Sequence, residues 1–283
     1  MSTTMTPTAS ATRPDYSTPV ARTNSWNNVC AIAGVCLKEL YRRKDFYVLF
    51  VLTALITLVM GSVNVFNEAG IIRYLKEICL FLIWASSLVI VITMTARQIP
   101  AERENRTLFP LLAKPVTRSQ LVLGKFLGCW LAAGLALVCF YFFFGLVCAT
   151  KEHTWPLANC FQALTLHWFA LGVVCAMTML GSIVFAAPSS NSTITLVVAV
   201  AILLVGRHLN KIALKLAEPW QTLFAAIYFA IPHLEIFDVR DLIIHNWGTI
   251  RWDIWAAGLA YAAVYAAIFL GVACRLFRRQ AVN

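Results

Sequence analysis

Six stretches of this chain run for close to 20 residues with almost no Asp, Glu, Lys or Arg, and they dictate what it can become. They are residues 46–63, 78–96, 126–149, 164–187, 192–209 and 254–274. An α-helix needs roughly 20 such residues to cross a hydrocarbon core of ~30 Å. Only 13% of the residues are charged and 60% are hydrophobic, whereas a soluble domain carries about a quarter of its residues as charges. The expectation is an all-α integral membrane protein with six transmembrane helices. The fourth stretch stops at Pro188, which cannot continue a helix. Pro188-Ser189-Ser190-Asn191 reads as a tight turn into an antiparallel fifth span. Arg207 and His208, in the last turn of that span, can snorkel to the interface.

Orientation follows from the basic residues. With the N-terminus inside, the inner segments hold fifteen of the 23 Lys and Arg residues and five of the 13 acidic ones, leaving the outer segments at eight of each. The positive-inside rule then places both termini and the loop between spans two and three in the cytoplasm. The +10 net charge reads as topology and contact with anionic membrane lipid, with no nucleic-acid partner implied.

Residues 1–24 include thirteen Ser, Thr or Pro and no apolar run. They are expected to form a disordered cytoplasmic tail, and they lack the apolar core of a cleavable signal peptide. In the segment 25–44, Trp26, Val29, Cys30, Ala33, Leu37, Leu40 and Tyr41 recur at helical spacing. Lys38, Arg42, Arg43 and Lys44 gather at its end. This suits an amphipathic helix lying on the inner leaflet, or alternatively an extension of the first span. The nine cysteines form no C-x-x-C pair, so neither a zinc knuckle nor a redox motif is supported.

The polar loop after span two opens with Pro100-Ala101-Glu102-Arg103-Glu104, a helix start with acids in its first turn. Pro110 breaks it and Lys114-Pro115 turns it. Leu108, Leu111 and Leu112 give an apolar patch flanked by Arg103, Arg106 and Arg118, which either docks a protein partner or packs beneath the neighbouring spans. The order Glu102 to Thr107-Leu108, Leu111-Leu112-Ala113, Pro115-Val116-Thr117-Arg118 and Gly124-Lys125 resembles the signature of type-2 ABC exporter permeases. Those proteins have six spans, an N-terminal elbow helix and a short cytoplasmic coupling helix seated in a groove of the ATPase.

The resemblance implies a permease domain over 25–283 with an elbow at 25–44, a coupling segment at 100–114 and an outer re-entrant or interfacial segment at 210–252. It implies that Glu102, Thr107 and Leu108 lie on the coupling helix, and that Pro115 and Arg118 set the entry to span three. Arg106 stands where many relatives place Gly, and Pro110 is an added break. The run 219–231 is apolar and bounded by prolines, too short to span.

No G-x-x-x-x-G-K-[ST] phosphate loop occurs, so ATP and Mg2+ are expected on a separate ABC ATPase subunit. The chain itself is expected to hold no cofactor, metal or catalytic residue. Six spans make half of the usual assembly, and a second permease copy is expected. Gly124, Gly128, Ala132 and Ala136 on span three form a small-residue ridge suited to close helix packing, within one subunit or between two. Gly258, Ala262 and Ala266 repeat the pattern on span six.

Three competing functions have less behind them. Ion coupling needs intramembrane charge, and the spans offer Lys125, Arg207 and His167 alone. Catalysis would have to use His233, Glu235, Asp238, Asp241, His245 and Asp253 in the outer segment, which otherwise reads as an interfacial helix with Leu234, Phe237 and Leu242 toward lipid and Trp247, Trp252 and Trp255 as anchors. A membrane scaffold that transmits a signal without moving cargo uses the same loop. Ser86, Ser87, Thr93 and Thr95 are candidate polar lining of a path. The whole is expected to be a multi-pass exporter permease of a prokaryotic inner membrane.

Overall fold

The computed structural model describes residues 25–42, 69–104, 117–152, 157–213 and 218–280, with the single positions 51, 54, 55 and 59. The tail at 1–24, most of the first span, and residues 105–114 of the coupling segment lie outside the described residues.

Nine α-helices make up the described chain: α1 (Ser25–Tyr41), α2 (Ala69–Ala96), α3 (Pro100–Glu104), α4 (Arg118–Glu152), α5 (Leu157–Val184), α6 (Pro188–Ala213), α7 (Trp220–Ala230), α8 (Arg240–Ile244) and α9 (Trp252–Arg279). A 3-10 turn occupies Leu234–Phe237, and the described residues contain no strand. The fold is all-α. Helices α2, α4, α5 and α9 are long and apolar enough to cross a membrane, and α6 contributes a shorter apolar stretch, Pro188–Leu204.

The helices overrun the charge-free stretches that reveal them. Helix α2 begins nine residues before Ile78 and takes in Lys76, while α4 begins eight residues before Phe126 and takes in Lys125. Both lysines are buried, at 3% and 5% exposure. Each is held by polar partners: Lys76 Nζ donates to Ile243 O at 3.5 Å and to Asn246 Oδ1 at 3.1 Å, and Lys125 is described below. A paired lysine does not end a helix, so counting charges finds the hydrocarbon crossing and underestimates the helix.

Pro188-Ser189-Ser190-Asn191 is not the turn expected between spans four and five. The reversal occupies 185–187, and these four residues form the first turn of α6. Proline at a helix start gives up an amide that has no intrahelical partner. Asn191, fully buried, then reaches back to α5: its Nδ2 donates to Thr178 O at 3.1 Å and its Oδ1 accepts from Thr195 Oγ1 at 3.2 Å. Gly181 leaves the room, since a Cβ there would sit 2.1 Å from Asn191 Oδ1.

Helix α5 is the hub, packed against α2, α4, α6 and α9. Its bond to α4 is reciprocal. Trp130 Nε1 donates to Trp168 O at 2.9 Å and Trp168 Nε1 to Trp130 O at 3.0 Å, with the rings stacked at 4.7 Å. Each indole fills the notch of a glycine one turn beyond the other tryptophan: a Cβ on Gly134 would lie 2.5 Å from Trp168 Nε1, and one on Gly172 2.8 Å from Trp130 Nε1.

Helix α1 runs beside α4 with the same polarity. Gly124 faces Val29 and Ile32, and Gly128, four residues on, faces Ala33 and Cys36, also four residues on. Such matched steps need near-parallel axes, so α1 follows the start of α4 rather than crossing it at a right angle. Its buried face is Val29, Ala33 and Cys36, while Trp26 and Cys30 of the expected stripe are exposed. The glycine notches decide which face turns inward.

The segment expected to be outer, before α9, also departs from expectation. Leu234, Phe237 and Ile243 are each 1% exposed and face the chain's own core, so Leu234 and Phe237 do not point to lipid. The segment is pinned by Lys76 and by Gln162, whose amide donates to Ile250 O and accepts from Ile250 N, both at 2.9 Å. Asn159 Nδ2 adds a bond to Trp247 O at 2.8 Å. With its polar backbone satisfied by α2 and α5, the segment turns its apolar side chains onto them.

Candidate functional site

At one end of the bundle several helices meet around Lys125. Helix α2 passes through Arg97-Gln98-Ile99 into α3, whose first turn carries Glu102. Lys125 Nζ lies 2.8 Å from Glu102 Oε1 and donates to Gln98 O and Gln98 Oε1 at 3.1 Å each. An ammonium has three donors, and all three are used. Gln98 Oε1 also accepts from Cys36 Sγ at 3.4 Å. One buried cation thus joins α1, α2, α3 and α4.

A second knot binds the end of α9. Arg118, heading α4, donates to Phe277 O at 3.0 Å and to Gln280 O, where a helix C-terminus favours positive charge. Arg103 of α3 donates to Gln280 Oε1. Both guanidinium groups lie about one ring-contact distance from Phe277, at 5.8 and 6.0 Å. Partial burial lowers the Arg103 pKa from its ordinary value. Gln280 Nε2 continues the link to Ile183 O at 3.0 Å, and Arg278 Nε donates to Ser119 Oγ at 2.9 Å. The last turn of α9 is therefore tied to α3, α4 and α5.

Of the expected coupling residues, Glu102, Arg103 and Arg118 are described, and each bonds within the chain. Arg106, Thr107, Leu108, Leu111, Leu112 and Pro115 lie outside the described residues. On the small-residue ridge, Gly124 and Gly128 receive α1, and Ala132 and Ala136 are 4% and 3% exposed in the chain's own core. Sequence reasoning passed over Lys125, Gln98 and Cys36 as site residues. The available signal was a lysine beside a span with a glutamate at the head of the preceding loop.

The candidate lining residues divide. Among the described residues Thr93 bonds back to its own helix, at Val89 O and Ile90 O, whereas Ser87 reaches His167 at 2.9 Å and Thr95 reaches Cys175 at 3.3 Å. Ser86 is half-buried.

The acids and histidines between α7 and the start of α9 form separate pairs. Asp238 holds Arg240 through two bonds of 2.7 and 2.8 Å and raises its pKa above the ordinary value. His233 Nδ1 meets Glu235 Oε1 at 3.1 Å, Arg251 pairs with exposed Asp253, and His245 Nδ1 meets the backbone O of Asp241. Among the described residues no three His, Cys, Asp or Glu side chains converge as metal ligands.

No curated protein matches the chain. Residues 46–282 match the family model of the ABC-2 family transporter protein, and the chain belongs to that family.

Proposed function

We propose that this chain is the permease subunit of an ATP-driven exporter, coupled to a separate ABC ATPase through the loop between α2 and α4. The observation that carries the reading is the Lys125 junction. Glu102 opens the expected coupling segment, and its carboxylate meets the Lys125 ammonium of α4, which also holds Gln98 in the turn after α2 and, through Gln98, Cys36 of α1. A push on that segment would reach three helices through one side chain. Six spans with both termini inside, lipid contact on the bundle's exterior, and a second permease copy belong to the same reading. ATP and Mg2+ would act on the partner, which closes on nucleotide and shifts the permease between inward- and outward-facing forms.

The test is affinity purification of the full chain in mild detergent. A stoichiometric ATPase is expected with the wild type, reduced at least several-fold in Leu108→Ala combined with Glu102→Lys. Glu102→Gln separates the roles of Glu102, because it weakens the Lys125 junction without presenting a reversed charge to a partner. Unchanged recovery of the ATPase in the double variant would remove the coupling assignment. Absence of any ATPase would favour a scaffold.

A further inference from the structure

We infer that the bundle holds a hydroxyl-binding site between α2 and α5, at Trp84 and His167. His167 is 2% exposed, and its ring stacks on Trp84 at 5.7 Å with 18° between the planes. Tyr141 of α4 meets the imidazole edge-on at 6.2 Å. Ser87 Oγ donates to Trp84 O at 2.9 Å, so toward His167 Nε2, also at 2.9 Å, it acts as acceptor. Nε2 then carries the imidazole proton and Nδ1 presents a lone pair. Among the described residues, neither His167 Nδ1 nor Trp84 Nε1 has a hydrogen-bond partner, and both are buried.

Buried polar atoms in an apolar bundle find partners, because leaving them bare is costly. Here one is an acceptor and its stacked neighbour a donor. An ammonium has no lone pair for the Trp84 N–H, and a carboxylate has no proton for His167. A hydroxyl does both, accepting from Trp84 and donating to His167. The charged groups near the site are already committed: Arg240 lies 5.8 Å from the Trp84 ring centre and is paired with Asp238. The pair therefore calls for a neutral group with one donor and one acceptor, and a hydroxyl, supplied by an enclosed water or by an amphiphile, is the smallest that offers both. It stands on its own geometry and does not depend on the ATPase assignment.

Nitrogen NMR of the full chain in mild detergent, labelled at histidine and assigned with His167→Gln, reads the state of Nδ1 directly. Probes are monooleoylglycerol, which carries hydroxyls, and methyl oleate, which has none. A hydrogen-bonded, unprotonated Nδ1 is expected, with the bond loosened in Trp84→Phe, which keeps an aromatic ring and removes the N–H. A further shift with monooleoylglycerol and none with methyl oleate assigns the hydroxyl to an amphiphile. A bonded Nδ1 indifferent to both probes assigns it to water. A bare Nδ1, a protonated ring, or a bond traced to one of the chain's own side chains would overturn the inference.

Discussion

Helices α5 and α9 are each 28 residues long, with mean hydropathy 1.8 and 1.9 over their apolar stretches, yet 67% of the first stretch and 22% of the second are buried within the chain. In lipid an apolar surface is equally at home against a helix or an acyl chain, so hydropathy does not separate a hub from a peripheral helix. Polar and small residues do. Helix α5 buries Gln162, His167, Thr178 and Ser182, and two of these reach other elements at Ile250 and Ser87. Helix α9 buries one narrow stripe, Gly258, Ala262, Leu270, Ala273 and Phe277. A helix surrounded by protein can hold hydrogen-bonding side chains along its length: Gln162 and His167 meet partners on other elements, while Thr178 and Ser182 bond back to Val174 O and Met179 O of α5 itself.

The sharpest way to break this contrast is to fill one glycine on each helix. Gly172 on α5 faces Trp130 Nε1 at 2.8 Å from a would-be Cβ, and Gly271 on α9 has nothing within 4 Å. Gly172→Leu forces apart the reciprocal tryptophan bonds. Overpacking of this kind costs about 1–3 kcal/mol, before the loss of the two hydrogen bonds is counted. Gly271→Leu is expected to be neutral. Thermal unfolding in mild detergent, followed by monodisperse elution, should show a large drop for the first and none for the second. Equal effects would mean that α5 and α9 are not differently placed.

Much of this was legible in the sequence, for a physical reason. The charge-free runs mark hydrocarbon crossings, and in the described chain those at 78–96, 126–149 and 254–274 lie wholly inside helices. Less legible was everything decided by a partner. Lys76 and Lys125 sit inside helices because Asn246 and Glu102 meet them, and no local rule announces those meetings. Leu234 and Phe237 face inward because Gln162 and Lys76 pin the backbone after them. The tryptophan pair did leave a trace, since Trp130 and Gly134 repeat the spacing of Trp168 and Gly172 on the antiparallel neighbour. Of the coupling signature, the loop order was readable, while the internal bonding of Glu102, Arg103 and Arg118 was not.

A middle-sized effect is expected where α5 hands over to α6. Asn191→Ala removes the bond to Thr178 O and leaves Thr195 Oγ1 without its acceptor. Interhelical hydrogen bonds of this type average about 0.6 kcal/mol and reach about 1.7. The notch at Gly181 keeps the cost toward the upper end, because an alanine at 191 leaves that space empty. Asn191→Asp keeps the acceptor for Thr195 and loses the donor to Thr178, so comparing the two variants by thermal unfolding separates the tether from the local bond. No loss in Asn191→Ala would show that contact with α6 adds nothing to the hub.

The smallest effect is expected on the outward face of α9, and it sharpens the comparison by asking what covers that face. Val264 and Ile268 are 57% and 53% exposed and lie one turn apart, opposite the stripe of Ala262, Ala273 and Phe277 that meets α5 and α4. Among the described residues both side chains lie outside the buried core, so alanine at either position should move unfolding of the single chain by no more than about 0.5 kcal/mol. The proposed second copy gives the same variants another readout. If two chains meet along this face, the double variant Val264→Ala with Ile268→Ala lowers the fraction recovered as a pair by mild-detergent cross-linking and leaves the unfolding temperature in place. An unchanged paired fraction assigns the face to lipid. Pairing would then have to use another apolar stripe, such as Leu131, Leu135, Val138 and Phe142 on α4 or Ile194, Val197, Val198 and Leu204 on α6, and alanine substitutions made on each would decide between them.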